Sequence, residues 1–296
     1  MNSRRTWSTI ALLSCLLIGG CSSKLMYNFL DWWLVWNVKS YLDLNSDQRG
    51  QLKQQAKTFH AWHRNSELPR YSEFLLTAKL RLSEGPVSAP ELEVFAEDLN
   101  KLWRNSLSEL VVPAAQLVAS LSDRQADKFL DTLQDKQDEF RQDYVELTRE
   151  ELIEQRTDTM EEMLKDWTGR LQPSQIAKVE QWAKRMLPNR ELMLTERQRW
   201  RARLKELLKR RTDSDFDDQL RSLIYYPEGD WSEDYRQNVR DNQALTLELI
   251  ADINNSLTDK QKRKRDRRLQ KYIDDLQSLT RADLAIPAAT APLALR

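Results

Sequence analysis

Between residues 114 and 168 there is neither a glycine nor a proline, and the same holds from 230 to 286. Strands of ordinary length need a turn every ten residues or so, and turns draw on these two residue types. Both windows are instead rich in Leu, Glu, Gln, Lys, Arg and Asp and poor in Val, Ile and Thr. Helix propensity accumulates over such lengths. The chain is therefore expected to be all-α, a bundle of roughly eight to ten antiparallel helices, some of them long. The glycines outside residues 19 and 20 are isolated, so no phosphate-cradling loop is present, and no Gly-x-Ser-x-Gly signature occurs.

Cysteine is nearly absent: only Cys15 and Cys21. Arg4 and Arg5 precede a short apolar run from Ile10 to Ile18, which reads as an export signal and is too short to span a bilayer as a mature helix. The signal closes on Leu17-Ile18-Gly19-Gly20-Cys21. Small side chains there let a peptidase approach the backbone, and a thiol is nucleophilic enough to accept a lipid. The pattern resembles the bacterial lipobox. That resemblance implies cleavage between Gly20 and Cys21, a diacylglyceryl group and further acylation (palmitate) on Cys21, and, because Ser22 rather than Asp follows, sorting to the outer membrane. Two or more acyl chains make anchoring stable where one is marginal. Cys15 leaves with the signal and Cys21 is consumed by lipid. The mature domain is then left without disulfides, thiol redox chemistry or thiolate zinc sites.

A charge excess of either sign is also missing. The 46 basic and 46 acidic residues cancel, and losing Arg4 and Arg5 with the signal tips the balance to about −2. Global steering toward a polyanion is not expected.

Three segments follow: a signal peptide over 1–20, a periplasmic helical domain over 21–284 with a candidate subdivision near 169–173, and an Ala/Pro-rich tail over 285–296 that has nothing to bury and should be loose. An aromatic helix over 25–44 carries Tyr27, Phe29, Trp32, Trp33, Trp36 and Tyr41. It is apolar nearly all round, so burial in the core is its expected fate, with contact at the membrane interface as the alternative. Further helices are read at 46–66, ended by Pro69, at 71–82, and from 91 to about 112, where Pro113 kinks or ends the run. Residues 122–168 form one long helix or a closely broken pair. Others cover about 176–187, 188–211, 213–226, 231–256 and 258–284.

One pattern recurs at helix starts: Leu44-Asn45-Ser46-Asp47-Gln48, Leu121-Ser122-Asp123-Arg124-Gln125, Leu171-Gln172-Pro173-Ser174-Gln175 and Leu257-Thr258-Asp259-Lys260-Gln261. Read physically it is a capping box, in which the cap oxygen accepts from the N3 amide while the N3 Gln reaches back. Gln172 is a poor cap, compensated by Pro173 at the first helical position. The copies are unequally separated, so this is not a solenoid. The signature is similar to that of helical periplasmic stress chaperones that form cradle-like dimers. The chain more closely resembles a family of uncharacterised gammaproteobacterial outer-membrane lipoproteins. Its lipobox is followed by Tyr27-Asn28-Phe29-Leu30-Asp31-Trp32, a Leu-x-x-x-Gln helix start and then His63-Arg64-Asn65-Ser66-Glu67-Leu68-Pro69-Arg70-Tyr71. That resemblance implies a helical lipoprotein and brings no activity with it.

Candidate chemistry is sparse. His60 and His63 sit three apart on one helix and could face a metal, but zinc would need a third ligand, Glu67 or a distant carboxylate. His63 lies on the apolar stripe Leu52, Ala56, Phe59, and a packed histidine is the better reading. No catalytic residue, metal or cofactor is assigned. Two basic runs remain: eight basic residues in Arg197 to Arg211, including Arg197, Arg199 and Arg201 around Trp200, and eight in Lys260 to Lys271, including Lys262, Arg263, Lys264, Arg265, Arg267 and Arg268. The export signal argues against nucleic acid. An anionic glycolipid or an envelope protein is the candidate partner. Pairing with the acidic stretch Asp131 to Asp166, or simple solvation, is the plainer account. The expectation is an outer-membrane lipoprotein facing the periplasm that acts by binding, as a scaffold, assembly factor or chaperone-like protein, not as an enzyme. Trp32, Trp33, Trp36 and the basic residues are its contact candidates. The alternative is a cell-wall (peptidoglycan) enzyme or an activator of one. A cleft holding carboxylates or His63 would favour that alternative.

Overall fold

In the computed structural model, which describes residues 22–284 apart from Tyr226, the chain is helical throughout the described residues and contains no strand among them. The lipobox, the signal and the tail from Ala285 lie outside the described residues. Helix starts are set where short polar side chains stop the preceding extended chain. Asn45, Ser88, Ser122 and Thr148 each accept from the amide three residues on, and Gln48, Glu91, Gln125 and Glu151 reach back to the cap amide. Thr258 and Gln261 make the same reciprocal pair.

The elements are α1 (Ser22–Asn28), α2 (Leu30–Lys39), α3 (Ser46–Trp62), α4 (Leu68–Glu84), α5 (Ala89–Ala119), α6 (Asp123–Phe140), α7 (Arg149–Thr168), α8 (Pro173–Arg185), α9 (Arg190–Lys209), α10 (Phe216–Tyr225), α11 (Glu233–Asn255) and α12 (Asp259–Leu284). Three boundaries differ from expectation. Pro69 does not break the chain: it sits in the first turn of α4, where its missing N–H costs nothing, and the wide turn His63–Glu67 joins α3 to α4. Pro113 lies inside α5, which runs on to Ala119. The aromatic helix is interrupted at Phe29 and ends at Lys39.

The 31-residue helix α5 spans about 46 Å and touches α3, α4, α10 and α11. Two construction units of one plan surround it. In the first, α2 precedes a Leu-x-x-x-Gln start into α3, and α5 ends on Ser120 before a second such start into α6. In the second, α7 precedes the start of α8, and α11 ends on Ser256 before the start of α12. Leu44 and Leu121 are buried together with Val35, Leu52, Ala56 and Leu117. Leu171 and Leu257 are buried together with Met160, Leu164, Val179, Leu249 and Ile253. A third cluster seats α9 and α10 on α5 and α6, through Leu204, Leu208, Phe216, Leu220 and Leu223 against Ala115 and Ala126. No helix among the described residues is long and apolar enough to cross a membrane.

Candidate functional site

The four Leu-x-x-x-Gln starts do more than cap. Gln48 donates to the carbonyl of Ser120, and Gln125 donates to the carbonyl of Asp43, at 2.9 and 2.6 Å. The two amides also bond each other, at 2.7 Å for the shorter contact. The second unit repeats this atom for atom: Gln175 donates to Ser256, Gln261 donates to the carbonyl of Arg170, and the two glutamines meet at 2.8 Å. Each glutamine accepts at Oε1 from its own cap amide and from the facing glutamine, and donates from Nε2 across the pair. The result is a polar clasp that bonds backbone carbonyls at and beyond helix ends, which no regular helix satisfies. The capping role was legible in sequence; the pairing joins residues 77 and 86 apart, and only the equality of the two motifs hinted at it.

A second polar cluster surrounds the wide turn. His63 is 7% exposed, ringed by Phe59, Trp62 and Tyr71, and its Nδ1 lies 2.9 Å from the Tyr27 hydroxyl. Burial, with a smaller contribution from His60, holds its pKa down at about 4. His60 faces Asp31 at 3.6 Å through Nδ1 and Arg64 at 3.2 Å through Nε2. A guanidinium at that nitrogen opposes a cation, and no group of three metal-binding side chains occurs among the described residues. The weak metal candidates His60 and His63 are thus held as structural groups. Glu67 is fully buried: its Oε1 accepts from Arg70 at 3.0 Å and Asn105 at 2.7 Å, while Oε2 has no hydrogen-bond partner. Tyr71 beside it has its pKa raised by burial.

The basic runs divide. On α12, Lys264 donates to the carbonyl of Lys165 at 2.9 Å, and Arg268 donates to that of Asp166 while lying over the rings of Trp167 and Tyr272. Both cations thereby complement the C-terminal end of α7, the last turn of the acidic stretch. Arg265 is buried and donates to Asn254 and to the carbonyl of Leu82. Lys262, Arg263 and Arg267 are exposed. On α9, Arg197 lies over the Phe140 ring at 4.1 Å, Arg199 pairs with Glu196 at 2.9 Å, Arg203 pairs with Asp230, and Arg201 turns one guanidinium nitrogen inward with no hydrogen-bond partner. Trp200 donates its indole N–H to the carbonyl of Leu223, which makes it part of the core.

The aromatic segment is two-faced instead of buried all round. Tyr27 and Val35 are inside, Trp33 is half-buried, and Phe29, Trp32 and Trp36 are exposed. Burial fails there because the main neighbour of α2 is α3 and its Val35 side packs toward Leu52, Leu117 and Leu121, which leaves Trp32 and Trp36 on the other side. Lipidation at Cys21 and cleavage after Gly20 concern residues outside the described ones. Two depressions, of about 240 and 340 Å³, are open and shallow. Asp43, Ser122, Arg124, Gln125 and Lys128 line the first, and Arg70, Lys101, Leu102, Arg104, Asn105 and Tyr225 the second.

The model of the family of unknown function DUF6279 matches residues 40–236, two thirds of the chain, and the chain belongs to that family. The match includes the His63–Tyr71 segment and three of the four Leu-x-x-x-Gln starts. No curated protein and no solved structure matches the chain.

Proposed function

We propose, from the Leu17–Cys21 pattern of the sequence, an outer-membrane lipoprotein lipidated at Cys21 and, from the geometry of its helical domain, one that works in the periplasm by binding; membership of DUF6279 brings no activity with it. The role is that of a scaffold or assembly factor, and the partner is an envelope protein or an anionic glycolipid. The observation that supports this reading is the fate of the titratable side chains. Where they converge, His60, His63 and Glu67 are buried among rings and helix backbone, with Tyr71 half-buried beside them. General acid–base chemistry needs a group within reach of a substrate proton, and these groups face the interior. Among the cations that face outward, Arg263 and Arg267 of α12 lie one turn apart with Lys262 beside them and form a stripe.

Photocrosslinking in intact Gram-negative cells tests the reading, with the photoreactive residue placed at Arg263 and Arg267. Capture of one discrete envelope protein, or of glycolipid, at either position supports it. Absence of adducts at both positions removes the α12 face as the contact, and release of muropeptides from cell walls by the purified protein replaces binding with catalysis. Metabolic labelling with an alkyne fatty acid tests the anchor, since a Cys21→Ser chain must lose the label.

A further inference from the structure

The exposed residues of α1 and α2 form a pattern. Leu25, Phe29, Trp32 and Trp36 follow one another at helical spacings of four, three and four, and are 60%, 55%, 62% and 45% exposed. Met26 beside them is 50% exposed. Scattered single apolar residues on a surface need no explanation, but a contiguous stripe of this length does. The rings of Trp32 and Trp36 lie stacked, 6.4 Å apart with 13° between their planes, so they present one flat apolar face.

The opposite side of the same two helices is fastened to the body. Tyr27 is 3% exposed, bonds His63 and joins Leu68 and Leu279. Asn28 accepts from Arg64 at 2.9 Å, and Lys24 pairs with Asp275 at 3.2 Å. Val35 is buried and Leu34 and Val38 pack beside it. The stripe is thus held outward by a built contact: inward rotation of α2 would expose Val35, and inward rotation of α1 would break the Tyr27–His63 bond.

We propose that this stripe seats in the interfacial layer of a lipid bilayer and sets the orientation of the domain on the membrane. The proposal rests on the lipoprotein reading for the bilayer's proximity: the predicted acylated Cys21 immediately precedes Ser22, the first residue of α1, and Leu25 comes one turn later. Tryptophan and phenylalanine are the side chains that settle at the depth of lipid headgroups. Exposed Lys39 closes the stripe at its C-terminal end, as cations flank helices that lie in that layer. A chain held only by acyl groups would swivel freely; a second, rigid contact beside the anchor fixes which face of the bundle looks away from the membrane.

The mature, acylated chain has no other cysteine, so a single introduced thiol can be labelled with an environment-sensitive nitrobenzoxadiazole dye. Phe29→Cys and Trp32→Cys carry the dye on the stripe. Leu187→Cys, in the exposed α8–α9 connection, carries it as the reference. Each acylated protein is reconstituted into phosphatidylethanolamine/phosphatidylglycerol vesicles with and without brominated acyl chains, after circular dichroism has verified unchanged helicity. Blue-shifted emission quenched by bromine at 29 and 32, and neither effect at 187, is the expected result. Vesicle-bound protein whose dyes at 29 and 32 stay unshifted and unquenched overturns the proposal. So does a blue shift that needs no vesicles and grows with protein concentration, which would make a second copy the occupant. If fatty-acid labelling shows no acylation, the lipoprotein reading fails separately. The same dyes in a chain carrying Cys15→Ser and Cys21→Ser, where the introduced thiol is the single one, mixed with the vesicles then decide the stripe alone: quenching keeps it, and none overturns it.

Discussion

Acidification should destabilise the protein in a pH window that belongs to one histidine. His63 has its pKa held at about 4 in the folded chain against 6.5 for an unperturbed histidine. The fold therefore favours the neutral ring, and the unfolded chain binds the extra proton. The stabilisation is complete above pH 6.5 and is lost as pH falls from there through 4. The full difference is about 3 kcal/mol, and about 2 kcal/mol is already gone at pH 5. This is a large share of the stability of an ordinary domain. The geometry agrees with the sign: the surrounding rings of Phe59, Trp62 and Tyr71 offer a charged imidazole no water. Glu91, held at about 2 by its bonds to Ser88 and Arg81, contributes stability that is lost as pH falls from 4.5 toward 2, largely below this window. Urea unfolding at pH 7.5 and 5.0 measures the effect. His63→Gln, which titrates no proton, should flatten the difference, whereas His60→Gln should leave most of it. A wild-type difference below about 0.5 kcal/mol would refute the reasoning.

Three other perturbations test the packing. Gln175→Ala should cost about 1–3 kcal/mol, because it removes a fully buried side chain that bonds the Ser256 carbonyl and the Gln172 amide. Gln175→Ala with Gln261→Ala should cost less than their sum by about 1–2 kcal/mol in a double-mutant cycle of chemical denaturation, since each amide bonds the other. Gly169 closes α7 at φ +89°, a conformation that side chains resist, and a Cβ there would meet Lys264 at 3.4 Å; Gly169→Ala should lower stability by about 1–3 kcal/mol in thermal melts. Glu67→Ala strips the half-buried Asn105 amide and the Arg70 guanidinium of their acceptor and should cost about 2–3 kcal/mol, while Arg70→Ala, at an exposed side chain, should cost less.

The helical class was legible because it depends on what the sequence omits, and glycine and proline are local signals. Helix starts at Asn45, Ser122 and Thr258 were legible for the same reason: the cap and its N3 glutamine lie within one turn. The start at Thr148 escaped notice because Glu151, not Gln, fills the N3 position, so the search for Leu-x-x-x-Gln passed over it. Pro69 and Pro113 misled in opposite ways. A first-turn proline is harmless in α4, and the packing of α5 against four neighbours outweighs one proline's lost bond. The candidate contact residues were the least legible. Charge runs carry no information about which cation turns inward: Arg265 is buried two residues from exposed Arg263, because successive residues on a helix face different directions. The aromatic run likewise could not reveal its free side, since that depends on how few helices pack on α2.

The two units are held together by what is inserted into each. Helix α4, placed between the clasped helices of the first unit, lies along α12 of the second, and the residues α9 and α10, placed within the second, pack on α6 and α5 of the first. Neither unit can lose its insertion without uncovering apolar surface on the other, so the halves are obliged to stay docked. The clasps then fix each unit from within, using side chains that donate to carbonyls no regular helix can satisfy. Such a construction leaves little room for a groove that opens, which would require one of these reciprocal contacts to break. A rigid body suits a protein that must hold a surface at a defined distance and angle. The cation stripe on α12 and the aromatic stripe on α1 and α2 belong to elements that touch one another, so an orientation imposed at the aromatic stripe is passed to the cation stripe through the Lys24–Asp275 pair and the Tyr27, Leu68 and Leu279 cluster, with no hinge between them.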